Sequence, residues 1–305
     1  MRRLLLSSAG KEKSGAGVRR QAYHTRRYSV KKLLFFDIDG TLAMPGHPPA
    51  EDTVRAIRAA RAAGHRAFLC TGRGENMISG DIDAIGFDGG IYHAGGRALL
   101  DGRIIYENHA DPSMLEEVLP VIRDNSIFYT IETTEGEFAS AFDRKILADL
   151  NLAGANTEMV RMIETVFLKR ENTLPDYRGQ GIYKVFFFVR DLSDFERIQE
   201  AVGEKYLSVS FENLGSDMTL TGCEVSRKDI NKGKAMEGVC AFLGAELKDT
   251  VAFGDSMNDM AMIRAAGLSV AMGNAEPRIL EAADVVCESC AEAGVARQLE
   301  RLGLV

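Results

Sequence analysis

The chain has 305 residues, 46% hydrophobic and 27% charged, which describes a soluble globular protein with room for one large domain or two of ordinary size. No apolar run approaches the roughly 18 residues that a membrane-spanning helix needs, so no membrane partner is expected. The net charge is −7, but residues 1–32 hold ten Lys/Arg against one acid, leaving −16 for 33–305, and so acidic a body argues against nucleic-acid binding.

The basic segment 1–30 can describe an organellar transit peptide, a basic tail or a translation start assigned too early; a disordered segment outside the fold is the expectation. Leu33 to Phe36 is an apolar run that reads as a buried strand. Asp37, Asp39, Gly40 and Thr41 follow, and a strand's carboxyl end is where parallel sheets keep ligand sites. Two carboxylates there can hold a divalent cation and leave one for attack or proton transfer, with strand alternation turning both the same way. After a loop at 44–49, Glu51 to Gly64 predicts a helix and Arg66 to Cys70 a second strand. Thr71, Gly72 and Arg73 then place a hydroxyl and backbone N–H groups at another strand end, an arrangement that binds phosphate. A helix at 75–85 and a strand at 87–92 complete a β-α-β-α-β order and so a parallel sheet.

From about residue 95 to 221 the pattern changes to an α+β insert. It has a hairpin over 98–107, a helix over 113–124, a strand at 127–133, short helices at 143–150 and 158–164 and a polar loop at 170–181. A strand over 183–189, a helix over 193–203 and strands at 207–211 and 218–221 follow. The parallel pattern resumes with a helix from Asn231 to Leu243, a strand at 250–253 leading into GDSMNDM (254–260), and alternating helices and strands to about residue 302.

Four pieces in order, DIDGT (37–41), TGR (71–73), NKGKA (231–235) and GDSMNDM (254–260), resemble the haloacid dehalogenase superfamily, and within it the Cof-type phosphatases. The resemblance spans 33 to about 303. It implies a Rossmann-like α/β core with a parallel sheet, over 31–93 and 223–305, and an inserted α+β cap domain over 94–222. The function implied is a magnesium-dependent phosphatase of small phosphomonoesters, such as sugar phosphates, pyridoxal phosphate or flavin mononucleotide. Asp37 would be the nucleophile, giving an aspartyl-phosphate, and Asp39 the general acid and then base. Mg2+ would sit on the Asp37 carboxylate, the Asp39 carbonyl and Asp255, with Asn258 and Asp259 behind them as ligand or support. Thr71, Gly72 and Lys232 would hold the transferring phosphoryl group, with Lys234 on the helix surface. Where many relatives carry Asn-Gly after the third strand, this chain has HAGG (93–96), which offers no amide there, and His93 reads as a packed or rim residue.

The alternative readings are a phosphomutase of the same superfamily and a non-catalytic sensor of a phosphorylated metabolite. Five cysteines, an odd number, argue against a disulfide scaffold, and the one CxxC (Cys287, Cys290) lacks the second pair of a zinc site. Reduced thiols, a cytoplasmic location and a monomer or homodimer are expected. Arg144, Lys184 or the 170–181 loop can face the substrate, and spacing does not choose among them.

Overall fold

The computed structural model describes residues 31–44, 46–140, 173–211 and 221–305. The basic segment 1–30, the short helices expected at 143–150 and 158–164, and Arg144 lie outside the described residues. Among the described residues, thirteen strands form two sheets. The first eight strands are β1 (Leu33–Phe36), β2 (Arg66–Cys70), β3 (Gly89–Tyr92), β4 (Arg97–Leu100), β5 (Arg103–Glu107), β6 (Phe128–Thr133), β7 (Gly136–Ala139) and β8 (Ile182–Val189). They are followed by β9 (Tyr206–Phe211), β10 (Thr221–Arg227), β11 (Thr250–Gly254), β12 (Leu268–Ala271) and β13 (Val285–Val286).

The larger sheet runs β13-β12-β11-β1-β2-β3-β4-β5, with its members parallel from β13 to β3. β1 is its centre because every residue is apolar and both faces are covered. Leu34 and Phe36 pack with Ile57, Phe253 and Leu299 on one side, and Phe35 packs with Phe68, Met236 and Val239 on the other. The chain leaves β1 toward β2 and β3, then returns after the insert to β11 on the opposite flank. The carboxyl ends of β1 and β11 therefore flank the point where strand order reverses, the crevice in which such sheets bind ligands.

The smaller sheet, β7-β6-β8-β10-β9, is wholly antiparallel. One face packs Ile131, Val185, Phe187 and Val225 against Val118 and Ile122 of helix Met114–Asn125 and Ile198 of helix Leu192–Val202. Two expected boundaries shift. The hairpin of β4 and β5 is hydrogen-bonded to β3 and belongs to the larger sheet, not to the insert that was expected to begin at 94. β10 continues the smaller sheet to Arg227, past the expected return at 223. The hairpin shields what would be an open sheet edge, and Gly89 admits it, since a Cβ there would lie 2.1 Å from the Leu99 carbonyl.

The helix expected over 75–85 is a single 3-10 turn, Glu75–Met77, and a short helix, Gly80–Asp83. Ile78 and Ser79 between them are extended, with ψ of 127° and 151°. Among the described residues no helix is long and apolar enough to cross a membrane. All five cysteines are buried free thiols.

Candidate active site

The ends of β1 and β11 and the start of helix Lys232–Leu243 bring four charged groups together. Asp37, one residue past β1, is 4% exposed, and its backbone N–H continues the ladder onto the Phe253 carbonyl at 3.1 Å. Lys232 is completely buried. Its Nζ donates to Asp37 Oδ1 at 2.6 Å, to Asp259 Oδ1 at 2.6 Å and to Asn258 Oδ1 at 3.2 Å. Asn231 caps that helix, accepting from the Lys234 backbone N–H at 2.9 Å, and so fixes the direction in which Lys232 leaves the backbone. Lys234 points to the surface and pairs with Glu237.

Asp255 follows β11 and takes a hydrogen bond from Thr41 Oγ1 at 3.0 Å. Gly40, with φ +83°, lies against it, and a Cβ there would stand 2.3 Å from Asp255 Oδ2. Glycine is demanded twice at this position, by the left-handed backbone and by the approach of the carboxylate. Asp259 is buried as well, and its Oδ2 accepts from the backbone N–H groups of Asp255 (3.0 Å) and Ser256 (3.2 Å). Asp259 thus braces the loop that presents Asp255. Asn258 meets Lys232 and Ser256 Oγ rather than Asp255.

Carboxylate oxygens of Asp37, Asp255 and Asp259 all lie within 4.8 Å of one another. Burial foremost pushes the Asp37 carboxyl well above the usual range, Lys232 opposing and Asp259, Asp255 and Asp39 adding to the rise. Burial and then Asp259 lift Asp255 to about 7. Burial acts to lower the Lys232 ammonium but is outweighed by Asp259 and Asp37, which hold it charged. Such an arrangement lacks positive charge. Hard oxygens at this spacing suit a small divalent cation of the magnesium kind. Asp259 is already committed to three donors, while Asp37 and Asp255 each accept one hydrogen bond through Oδ1. Asp37 and Asp255 are therefore the side chains placed to give an oxygen to a metal.

Asp39 stands apart from that cluster. Arg73 grips its carboxylate with two donors, Nε to Oδ2 at 2.9 Å and a terminal nitrogen to Oδ1. The Thr71–Arg73 turn is strapped from behind: Ala94 N–H donates to the Thr71 carbonyl at 3.0 Å and His93 N–H to the Arg73 carbonyl at 2.9 Å. His93 and Ala94 reach these carbonyls by adopting φ of 52° and 55°, a left-handed pair that non-glycine residues seldom form. Gly95 then packs on the Asn231 carbonyl, 2.2 Å from where a Cβ would stand. HAGG thereby ties the turn after β2 to the start of the Lys232 helix.

His93 also joins the two sheets. Its imidazole lies between Glu132 of β6 (Nδ1, 2.9 Å) and Glu75 (Nε2, 3.0 Å) and stacks on Tyr183 of β8 at 4.5 Å between centroids. Burial acts to lower its pKa, and the hydrogen bonds to Glu132 and Glu75 outweigh it, so the net direction is upward from 6.5. Glu75 moves the other way: burial raises it, but His93 chiefly brings it from 4.5 down to about 2. The raised imidazole contributes stability that is complete below 6.5 and lost as pH climbs through its folded pKa; the lowered carboxylate contributes stability that is present above 4.5 and lost toward about 2. Thermal melts of wild type and His93→Gln are expected to separate most between pH 4.5 and 6.5 and to converge above. A constant offset across neutral pH would show the imidazole to be uncharged in the fold.

Of the residues singled out in the sequence, Asp37, Asp255, Asp259, Lys232 and Asn258 meet directly, Thr71 and Gly72 form the neighbouring turn, and Asp39 faces Arg73. Arg73, Thr41 and Asn274 were not foreseen as site residues. Asn274 Nδ2 donates to the Gly40 carbonyl at 2.9 Å while its Oδ1 accepts from Cys290 N–H at 2.8 Å, tying the loop after β1 to the C-terminal segment. The arginine of TGR could have been read as a carboxylate partner from its charge alone; Thr41 and Asn274 offer no such signal.

Comparisons with known proteins agree on one family. Residues 34–299 match a family model described as haloacid dehalogenase-like hydrolase. The phosphatase YwpJ of Bacillus subtilis (strain 168) is 26% identical over 290 residues, covering 89% of this chain and 99% of that protein. The HMP-PP phosphatase of Escherichia coli O6:H1 is 27% identical over 258 residues, covering 82% and 87%. A solved sugar phosphatase of HAD subclass IIB superposes with a TM-score of 0.73 at 22% identity, over 90% of this chain and all of that one, a likeness of fold.

Proposed function

Because the chain belongs to the haloacid dehalogenase-like hydrolases of the Cof type, and is a phosphatase, we propose that it hydrolyses small phosphomonoesters with magnesium, through a phosphorylated Asp37. The observation that carries this reading is the convergence of Asp37, Asp255 and Asp259 within 4.8 Å around the end of β1, with Lys232 at 2.6 Å from Asp37 Oδ1. One buried ammonium cannot balance three carboxylates, so the group is built to share a further cation, and a phosphoryl group brings the negative charge such a pair of cations would hold. Bound Mg2+ would supply charge neutralisation at the transferring phosphoryl group.

In the proposed sequence Asp37 attacks phosphorus and the ester oxygen leaves on the opposite side, so one hard displacement becomes two easier ones. Lys232, held by Asp259 and Asn258, cannot swing away and stays beside the oxygen that attacks. Thr71 Oγ1 and the Gly72 N–H donate to phosphoryl oxygens, the Thr71 and Arg73 N–H groups being engaged by the Ile91 carbonyl and Thr71 Oγ1. Asp39 hands a proton to the leaving oxygen and takes one back from the water that splits the acyl phosphate. Its grip by Arg73 has to loosen for the donation, since a carboxylate held by two guanidinium donors has no hydroxyl to offer.

Sugar phosphates, pyridoxal phosphate and flavin mononucleotide are the substrate types of this reading, with the antiparallel-sheet unit choosing among them and a cytoplasmic monomer or homodimer as its setting. The test is phosphate release from a panel of such esters, with Mg2+ and with a chelator. Turnover expected with metal should vanish with chelator and return on adding Mg2+. Absence of phosphate from every ester, with folded metal-loaded protein, would reject hydrolysis; transfer to a second sugar hydroxyl in place of water would show a mutase.

A further inference from the structure

The face of the smaller sheet opposite its helices carries, beside Glu137 of β7, three charged side chains from adjacent strands: Glu132 of β6, Lys184 of β8 and Glu224 of β10. All three are buried. Lys184 Nζ donates to Glu224 Oε2 at 2.8 Å, lies 3.5 Å from Glu132 Oε1, and donates at 3.2 Å to the carbonyl of Gly72. That last bond crosses from the insert to the turn after β2. With it, three successive carbonyls of the turn face outside donors: Thr71 receives Ala94 N–H, Gly72 receives Lys184, and Arg73 receives His93 N–H.

Lys184 donates two hydrogen bonds, to Glu224 and the Gly72 carbonyl, and is ion-paired with Glu132 as well, so it is not a spare cation for substrate. The carbonyl it holds is the middle one of the turn. A peptide group turns as a plane, so pinning a carbonyl also sets the direction of the N–H on the next residue. Here that N–H belongs to Arg73 and donates to Thr71 Oγ1 at 3.2 Å, which aims the hydroxyl. A Cβ added to Gly72 would meet nothing within 4 Å, so the turn borders open space on that side. His93 and Ala94 pin the outer carbonyls from the larger sheet; Lys184 pins the central one from the insert alone.

We propose that Lys184 is a positioning residue by which the inserted unit fixes the Thr71–Arg73 turn in its phosphate-binding shape, coupling engagement of the insert to affinity for the phosphoryl group. The inference rests on the reading of that turn as the phosphate site. Glu132 and Glu224 keep the ammonium aimed and neutralised, so its role is reach, not charge. Coupling is reciprocal: phosphate that orders the turn favours the engaged insert, and an insert without Lys184 binds phosphate less well.

The test uses the full chain with Mg2+ and reads two constants: Ki for inorganic phosphate as a competitive product, and Kd for Mg2+ by calorimetry. Lys184→Met alone leaves Glu224 without its cation, while Glu132 keeps His93, and the single variant can fail to fold, so the charge-balanced pair Lys184→Met with Glu224→Gln carries the measurement. Phosphate Ki is expected to rise about tenfold in the double variant, within the usual range for coupled sites, with Mg2+ affinity unchanged. An unchanged Ki in a variant that melts like wild type overturns the proposal, as does a parallel loss of Mg2+ affinity, which would mean general disruption of the site. If inorganic phosphate fails to compete even in wild type, the phosphate-site reading falls and takes this inference with it.

Discussion

Replacing Asp37 with Asn is expected to cut phosphate release by about 10⁴-fold or more while leaving the metal-free protein at least as stable as wild type at neutral pH. An amide oxygen accepts from Lys232 much as the carboxylate does, but it does not form an acyl phosphate. The stability half follows from charge. Burial and three neighbouring carboxylates raise the Asp37 pKa, so its contribution to stability is present below its ordinary value of 3.8 and is lost as pH rises through the folded pKa. At any pH above 3.8 the carboxyl is therefore a burden, relieved only in part by Lys232, and a neutral isostere removes it. Phosphate release with Mg2+ gives the first quantity, and thermal melts with and without Mg2+ give the second. Wild type is expected to gain more from Mg2+ than the variant, because it has one more carboxylate to neutralise. Residual turnover within tenfold of wild type would show that Asp37 is not the nucleophile.

Much of this site is readable in the sequence because its parts are local. A four-residue apolar run followed at once by Asp37 states both the strand and what its end presents, and Thr250–Gly254 with Asp255 does the same. Parallel strands buried on both faces have few other compositions open to them. Pairings across long separations are not written that way. Arg73 meets Asp39 from 34 residues away and Lys184 meets Gly72 from 112, and either side chain could equally have faced solvent. The hairpin over 97–107 shows the same limit at the level of fold. Its turn at Asp101-Gly102 is plain in the sequence, but which sheet it joins is decided by the bare edge at Gly89 and by Tyr106 packing over Gly238 of the Lys232 helix. HAGG is the instructive case. Judged by the amide it lacks, it is a loss; in the fold its left-handed His93 and Ala94 serve as a strap, a backbone role that side-chain chemistry does not announce.

Lys232→Met separates support from catalysis, and its two effects are expected to respond differently to metal. The ammonium is wholly buried and bonded to Asp37, Asp259 and Asn258, so a thioether of similar length fills its space and leaves the carboxylates uncompensated. Removing one partner of a buried ion pair costs about 3–5 kcal/mol, because the other charge stays desolvated. Asp259 suffers most, since its second oxygen is tied to the Asp255 and Ser256 N–H groups and it cannot turn toward water. Saturating Mg2+ supplies positive charge a short distance away and is expected to return much of the lost stability. It does not return the donor beside the attacking oxygen, so phosphate release from the metal-loaded variant is expected to stay about 10²–10³-fold below wild type. Lys232→Arg is no rescue, because a larger guanidinium does not fit a position with no exposed surface. Melts and phosphate release are to be measured across a Mg2+ titration. If both recover together, Lys232 serves only to neutralise Asp37 and Asp259; recovery of stability alone assigns it to the transferring phosphoryl group.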